Sequence, residues 1–243
     1  MEAQVFERMA ELDSTHWWFV ARRNILRSLI QRVVQPPKDA KILEIGCGTG
    51  HNLAMLGEFG RVEASELDDT ARKLATDRLG RKIEAAALPD LSMFPESRYD
   101  LVALLDVLEH VSDDSAALAA IRTRLKPGGK LLVTVPANPW MWTAHDAAHH
   151  HHRRYTKSQL AEEARKAGYA IDLLSPFNTI LFPLIAGVRA VGKLTGRESA
   201  DDAMPPKPLN SLFQGLFGFE SGLIGRVPMP FGVSLVAVLR RPD

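Results

Sequence analysis

The chain has 243 residues, 46% of them hydrophobic, and a formal net charge of +1. That length accommodates one α/β core with additions, and the near-neutral balance gives no electrostatic footing for nucleic acid. The single cysteine, Cys47, excludes a disulfide framework and suits a reducing, cytoplasmic setting; no apolar run reaches the roughly 18 residues of a spanning helix, and no secretory signal is expected in the acid-bearing opening residues.

In chain order, one or two helices are expected up to about Val34, ended by Pro36 and Pro37. Strands are predicted at 41–45, 62–66, 82–86, 99–105 and 130–135, alternating with helices at 51–58, 69–79 and 113–124. Such alternation predicts a parallel sheet covered on both faces. Thr156 and Gln159 form a capping box, so a helix starts there and runs to about Ala167, with Gly168 as its stop. The segment 177–231 holds six of the ten phenylalanines and six of the fifteen prolines. It opens on Phe177-Asn-Thr-Ile-Leu-Phe-Pro, crosses the polar stretch Glu198 to Asp202, and regains helical spacing at Leu209, Leu212, Phe213, Leu216 and Phe217. An extra pair of helices, a wall for an apolar substrate, or a peripheral membrane contact all fit it.

Chemistry is densest at Glu44-Ile-Gly-Cys-Gly-Thr-Gly50, between the first strand and the next helix. Gly46, Gly48 and Gly50 let the backbone bend sharply and approach a ligand closely. The spacing is Glu-x-Gly-x-Gly-x-Gly, not the Gly-x-Gly-x-x-Gly of a pyrophosphate grip. An acid at the strand end would repel a diphosphate and suits an amine or another positive centre, as in S-adenosylmethionine. Glu66, at the end of the second strand, is placed to accept from both ribose hydroxyls.

The ordered series resembles the signatures of class I S-adenosylmethionine-dependent methyltransferases. Beside the glycine turn, Lys82-Ile-Glu-Ala-Ala-Ala-Leu-Pro89 resembles the family's third strand and adenine exit, Asp106-Val-Leu-Glu-His-Val111 its fourth motif, and Arg124-Leu-Lys-Pro-Gly-Gly its turn into the fifth strand. The resemblance implies a Rossmann-like, seven-stranded sheet, mostly parallel with the last strand antiparallel, completed by strands at 169–174 and 232–239. It divides the chain into an N-terminal helical lid (1–37), a cofactor-binding core (38–176), a helical insertion (177–231) and a last strand (232–243). Implied cofactor contacts are Glu44, Gly46, Cys47, Gly48, Gly50, Asn52, Glu66, Leu67, Glu84, Ala85, Asp106, Val107 and His110.

The loop after the fifth strand, Pro136 to Thr156, must emerge at the carboxyl ends of the strands, where ligands bind. With His16-Trp-Trp-Phe-Val-Ala-Arg-Arg23, it resembles a small bacterial branch carrying His-Asp and then Gly-His-x-Arg-Arg-Tyr-Thr, although His150 replaces the glycine. His151 and His145 are candidate bases, with Asp146 fixing a tautomer. Trp17, Trp18, Arg22, Trp142, Arg154 and Tyr155 are candidate substrate contacts, the tryptophans as an aromatic lid. No metal is expected, because neighbouring residues among His149 to His152 point in alternate directions. The expected activity is methyl transfer to a small-molecule or lipid-linked acceptor. A nicotinamide-dependent oxidoreductase, or a non-catalytic protein keeping the fold, are the alternatives, and the oligomeric state is open.

Overall fold

The computed structural model describes residues 3–195 and 203–243, so the polar stretch Glu198 to Asp202 lies outside the described residues. Six strands form one sheet: β1 (Ala40–Ile45), β2 (Gly60–Ser65), β3 (Tyr99–Leu105), β4 (Leu125–Pro136), β5 (Ala170–Phe177) and β6 (Ser234–Arg240), in the order β2-β1-β3-β4-β6-β5. The first four are parallel, and β6 runs antiparallel to both β4 and β5. The expected antiparallel last strand is therefore present, as β6.

The strand expected at 82–86 is not, and the seven-stranded sheet has six strands among the described residues. Only Glu84 pairs, by a parallel bridge to Ser65. Its amide donates to the Ala64 carbonyl at 3.2 Å, and its carbonyl accepts from the Glu66 amide at 2.9 Å. The physical reason lies in the side chains: only Ile83 is buried, flanked by Lys82, Glu84 and small alanines. A charged, short edge is how a sheet margin avoids further pairing.

Both faces of the sheet are covered, so successive strand residues alternate between two apolar layers rather than between core and water. Ile42, Leu101, Ala103, Leu132 and Val236 face one layer, while Leu43, Val102, Leu104, Val133 and Leu235 face the other. The first layer is built by α2 (Trp17–Leu29), a π-helical turn (Ile30–Val34), the short α3 (Leu53–Gly57) and Ala75 of α4 (Asp69–Leu79). The second is built by α5 (Asp114–Arg124) and α7 (Lys157–Lys166). Local chemistry fixes the helix starts: Asp68 accepts from the Thr70 and Ala71 amides, Asp113 from Ala116, and Thr156 with Gln159 closes the capping box.

The insertion is indeed helical, with α8 (Phe182–Thr195) and α9 (Lys207–Phe219). α9 docks on α2. The Asn210 side chain accepts from the Trp17 amide at 2.9 Å and donates to the Thr15 carbonyl at 2.9 Å, which caps the start of α2 from a distant part of the chain. Trp17 meets Phe213 and Phe217 edge-on, and Phe217 stacks on Phe177. The buried Glu220 accepts from the Thr179 and Ile180 amides, pinning the insertion to the end of β5. α8 by contrast buries none of its residues. The N-terminal α1 (Ala3–Leu12) leans on α4 through Arg78, which pairs with the buried Asp13 at 2.7 Å.

A methyl group added at Gly60 would overlap the Ala40 carbonyl oxygen of the neighbouring strand. Gly60→Ala is therefore expected to destabilise the fold by about 1–3 kcal/mol, read as a lowered urea midpoint with an unchanged slope.

Candidate functional site

A cleft of about 1160 Å³ opens at the carboxyl ends of β1, β2, β3 and β4. It is floored by the glycine turn, walled by residues 86–89 and 105–113, closed on one side by the histidine loop, and roofed by α1 and α2.

All three glycines of the turn have positive φ: +67° at Gly46, +55° at Gly48 and +79° at Gly50. Their environments differ. A Cβ at Gly46 would lie 2.7 Å from a Val107 methyl, and one at Gly50 would press on Leu53 and the Ala75 backbone. At Gly48 a Cβ would meet nothing within 4 Å. Gly46 and Gly50 thus serve packing, Gly46 while lining the cleft, and Gly48 presents bare backbone to open space. Burial pushes the Cys47 thiol up, so this cleft residue is no nucleophile.

Around the turn stand carboxylates. Glu66 accepts from the Gly48 amide at 2.7 Å with one oxygen and from the Asp68 amide at 2.9 Å with the other, while Leu67 beside it lies on the rim. Glu44 is 1% exposed and sits behind the cleft wall, not on it. Its Oε1 accepts from Asn52, which does line the cleft, at 3.0 Å, and its Oε2 has no partner. Burial pushes the Glu44 carboxyl up to about 8, opposed by the Asn52 bond and by Arg22. Glu84 and Ala85 do not reach the cleft. Glu84 pairs with Lys82 at 2.8 Å on the surface, and the wall is made instead by Ala86, Ala87, Leu88 and Pro89, because the chain leaves the sheet edge after one bridge.

Asp106 follows β3 with φ +58° and, with Val107 and His110, faces the cleft. Arg22 was expected to meet substrate. Instead its guanidinium, 1% exposed as a residue, donates to Asp106 at 2.6 Å and to Thr134 at 2.8 Å, so it is a structural counter-ion at the cleft wall. Burial, with His151 and His149 beside it, lowers His110 to about 4. Its neighbour Glu109 is buried with Oε2 unpartnered, and burial together with Asp106 pushes its carboxyl well up.

The histidine loop is organised by Asp146, at the N-terminal turn of the short α6 (Ala144–Ala148). Its carboxylate accepts from Arg154 Nε at 2.7 Å and Nη2 at 2.9 Å, from the Thr143 amide at 2.8 Å, and lies 3.0 Å from His151 Nδ1. Burial alone would raise this carboxyl, but His151, Arg154 and the Thr143 amide together hold it well below the usual range. The bidentate Arg154 is thereby committed within the protein, although it borders the cleft. An acid so held beside His151 favours the tautomer with hydrogen on Nδ1 and a bare Nε2. His145 lines the cleft with its ring 4.1 Å from that of His149. Tyr155 does not reach the cleft: it is buried in the second layer and its hydroxyl donates to Asp114 at 2.8 Å. Trp17 and Trp18 do line it, Trp18 with the Arg22 guanidinium 5.0 Å from its ring centre. Trp142 does not, and Trp140 turns outward against Phe182, since the 3₁₀ turn Pro139–Met141 buries Met141 instead.

Sequence reasoning missed His51, Phe19, Glu109 and Asn178, all of which line the cleft. Both His51 ring nitrogens are buried without a partner, and desolvation, reinforced by Arg22, Arg23 and Arg78, drops the imidazole well below its ordinary value. Phe19 packs on it edge-on at 5.2 Å. A histidine directly after a glycine turn was the available signal.

A family model described as a methyltransferase domain matches residues 18–174. The chain is 32% identical over 113 residues to a ubiquinone/menaquinone biosynthesis C-methyltransferase of Shewanella halifaxensis, covering 41% of this chain and 43% of that protein. A namesake from Teredinibacter turnerae is 32% identical over 119 residues, covering 44% and 48%. The chain thus spans under half the length of these curated relatives. Among solved structures, it resembles a S-adenosylmethionine-dependent methyltransferase of Archaeoglobus fulgidus, with a TM-score of 0.59, 13% identity and 90% and 94% of the two chains covered. It also resembles the geranyl diphosphate C-methyltransferase of Streptomyces coelicolor, with a TM-score of 0.61, 13% identity and 88% and 73% covered. These structural likenesses establish the fold.

Because the Glu44 carboxyl is raised to about 8 from 4.5, the fold favours its neutral form. Its contribution to stability is fully present below pH 4.5 and is lost as pH rises towards 8. Glu44→Gln, measured without ligand, is expected to melt at a higher temperature than the parent above pH 8, with the gap closing on acidification to pH 4.5.

Proposed function

The chain belongs to the methyltransferase-domain family, whose model spans residues 18–174, and from that membership we propose that it transfers a methyl group from S-adenosylmethionine to a small-molecule acceptor. The observation that carries this is the charge around the bare backbone of Gly48: Glu66 on the turn amide, Asp106 on the wall, and Glu44 one layer behind. Glu66 makes the socket acidic, and Glu44, neutral without ligand, is an acid that a nearby cation would ionise. Such a socket suits a nucleoside bearing an ammonium and a sulfonium and would repel the pyrophosphate of a nicotinamide dinucleotide.

In this assignment Glu66 accepts from the ribose hydroxyls, residues 86–89 flank the adenine, and Asn52 with Asp106 surrounds the methionine end. The unpartnered Glu44 oxygen would lie one residue behind that ammonium and ionise in response to it. Trp18 closes the roof over the sulfonium, where an indole face is attractive to positive charge. Transfer is an in-line displacement. An electron pair of the acceptor would form the new bond to the methyl carbon as the carbon–sulfur bond breaks, sulfur keeping the pair of the broken bond as a thioether; that is the chemistry S-adenosylmethionine would supply in this cleft. Most of the acceleration comes from alignment in a closed cleft. Where the acceptor is a hydroxyl, its proton passes to the histidine cluster of His145 and His151, whose tautomer Asp146 orients.

Acceptors presented at a lipid surface are included in the proposal. α8 buries no residue and exposes Leu184, Val188, Val191 and Leu194, and neither α8 nor α9 carries an acid against Arg189, Lys193 and Lys207. Among the described residues no helix is long and apolar enough to cross a membrane; the contact proposed is a peripheral one, through the exposed face of α8. Val191→Glu with Leu184→Glu should abolish co-sedimentation with phosphatidylglycerol vesicles, and absence of binding by the parent chain removes this part of the proposal.

Calorimetry should find S-adenosylmethionine bound and NAD⁺ not. Tritiated-methyl transfer into fractionated extract, followed by mass spectrometry of the labelled product, identifies the acceptor. His151→Gln and His145→Gln are each expected to slow transfer to a hydroxyl acceptor by about 100-fold or more with cofactor affinity unchanged. Trp18→Ala should weaken cofactor binding at nearly unchanged melting temperature. A chain that ignores S-adenosylmethionine at millimolar levels sinks the whole assignment.

A further inference from the structure

The four consecutive histidines cannot converge on one ion, but one of them meets two groups from a different loop. Among the described residues, Glu109, His110 and His151 bring one ligand atom each to within 4.8 Å of one another. His110 and His151 stand perpendicular with ring centres 4.6 Å apart. Glu109 is 1% exposed, and its Oε2, buried, has no partner. A buried carboxyl oxygen left without a donor or cation is costly, and the same carboxyl group brings an oxygen to the two imidazoles.

The surroundings are those of a built site. His151 Nδ1 is 3.0 Å from Asp146 Oδ1, and Asp146 is itself fixed by Arg154 and the Thr143 amide. A carboxylate on the far nitrogen of a ligating histidine sets its tautomer, turns its ring and strengthens it as a donor. The two loops are stitched together at the same place. The His152 amide donates to the Glu109 carbonyl at 2.7 Å, and Arg153 binds both the Ser112 carbonyl and the Asp114 carboxylate. All three groups line the cleft, and His110 and Glu109 lie within four residues of Asp106 on its wall.

We infer that Glu109, His110 and His151 form a binding site for a divalent first-row transition ion such as Zn²⁺, Co²⁺ or Fe²⁺. Two imidazoles and one carboxylate suit these ions and not Mg²⁺ or Ca²⁺, which take oxygen ligands. Three protein ligands on a cleft wall leave a coordination position open to an exogenous oxygen. The use of that position rests on the methyl-transfer assignment above: an acceptor hydroxyl binds the ion, its O–H bond breaks heterolytically, the oxygen keeps the electron pair on the ion, and the proton goes to His145. His151 then holds the ion while His145 carries the proton. Binding of the ion itself needs neither the cofactor nor turnover.

The test is titration of chelator-treated protein with Co²⁺, followed by visible absorption, and with Zn²⁺ by calorimetry. One ion per chain is expected, unaffected by excess Mg²⁺. Glu109→Gln, His110→Gln and His151→Gln should each weaken binding by more than about tenfold, and Asp146→Asn by about tenfold; melting curves establish that each variant folds. The histidine tract is the rival binder, so a triple variant of His149, His150 and His152 to Gln should keep the site. Loss of binding in that triple variant, with binding retained by folded Glu109→Gln, overturns the inference, as does absence of any stoichiometric ion. S-adenosylmethionine calorimetry on the same chelated protein is read separately, so failure of the ion site and failure of the cofactor assignment give different results.

Discussion

One ion pair, its arginine buried and its aspartate half-buried, holds the cleft together. Arg22 leaves α2, is shut off from solvent, and binds Asp106 and Thr134 at the ends of β3 and β4. It thereby anchors the N-terminal roof to the sheet at the point where ligands enter. Its charge acts beyond its own pair: it opposes the rise of the Glu44 and Glu109 carboxyls, each chiefly the work of burial. Four acids, Glu44, Glu66, Asp106 and Glu109, gather here, and Arg154 is spent on Asp146. Removing Asp106 would leave the buried Arg22 charge with only the Thr134 hydroxyl, so the roof and the electrostatics of the cleft stand or fall together.

That excess of acid explains why the cleft has two chemically different ends. At the glycine turn, carboxylates meet backbone amides and open space, an arrangement that selects positive charge on a ligand. At the histidine loop, Asp146 is saturated with donors, and burial lowers the neighbouring His110 imidazole to about 4. The His110 imidazole beside the Glu109 carboxyl, whose buried Oε2 has no partner, is a lone-pair-rich corner, suited to protons or to a soft cation rather than to an anionic substrate. The polarity of the two ends follows from side chains delivered by separate loops, each fixed to the sheet by its own hydrogen bonds.

The elements with strong local signals were legible in the sequence. Capping at Asp68, Asp113 and Thr156 sets helix starts within a residue of expectation, and the apolar runs of β1, β3 and β4 follow from burial on both faces. The strand at 82–86 was not, because edge pairing depends on tertiary burial: Ile83 alone is covered, and one bridge forms. That shortfall shifts the cleft wall from Glu84 and Ala85 to residues 86–89. Arg22, which lines the cleft, and Tyr155, which does not reach it, are both bound to acids that the sequence does not announce. A basic or phenolic side chain near a motif can turn either to the ligand or to a buried acid, and only the fold reveals that Asp106 and Asp114 are waiting. Glu109 was invisible for the complementary reason, since nothing in its neighbours announces a buried oxygen without a partner.

The histidine tract shows how spacing and topology can give opposite answers. His149 turns to His145, and His151 to Asp146 and His110, with the rings of His149 and His151 6.0 Å apart. What spacing cannot encode is a second loop arriving from 40 residues upstream. Arg153 and the His152 amide bind that loop at Ser112, Asp114 and Glu109, so the residues between the histidines, rather than the histidines themselves, create the convergence. His150, standing where the resembling branch has glycine, takes φ +55° as the glycine would. The strain of a side chain in that conformation is carried by the same hydrogen bonds that deliver His151 to the cleft.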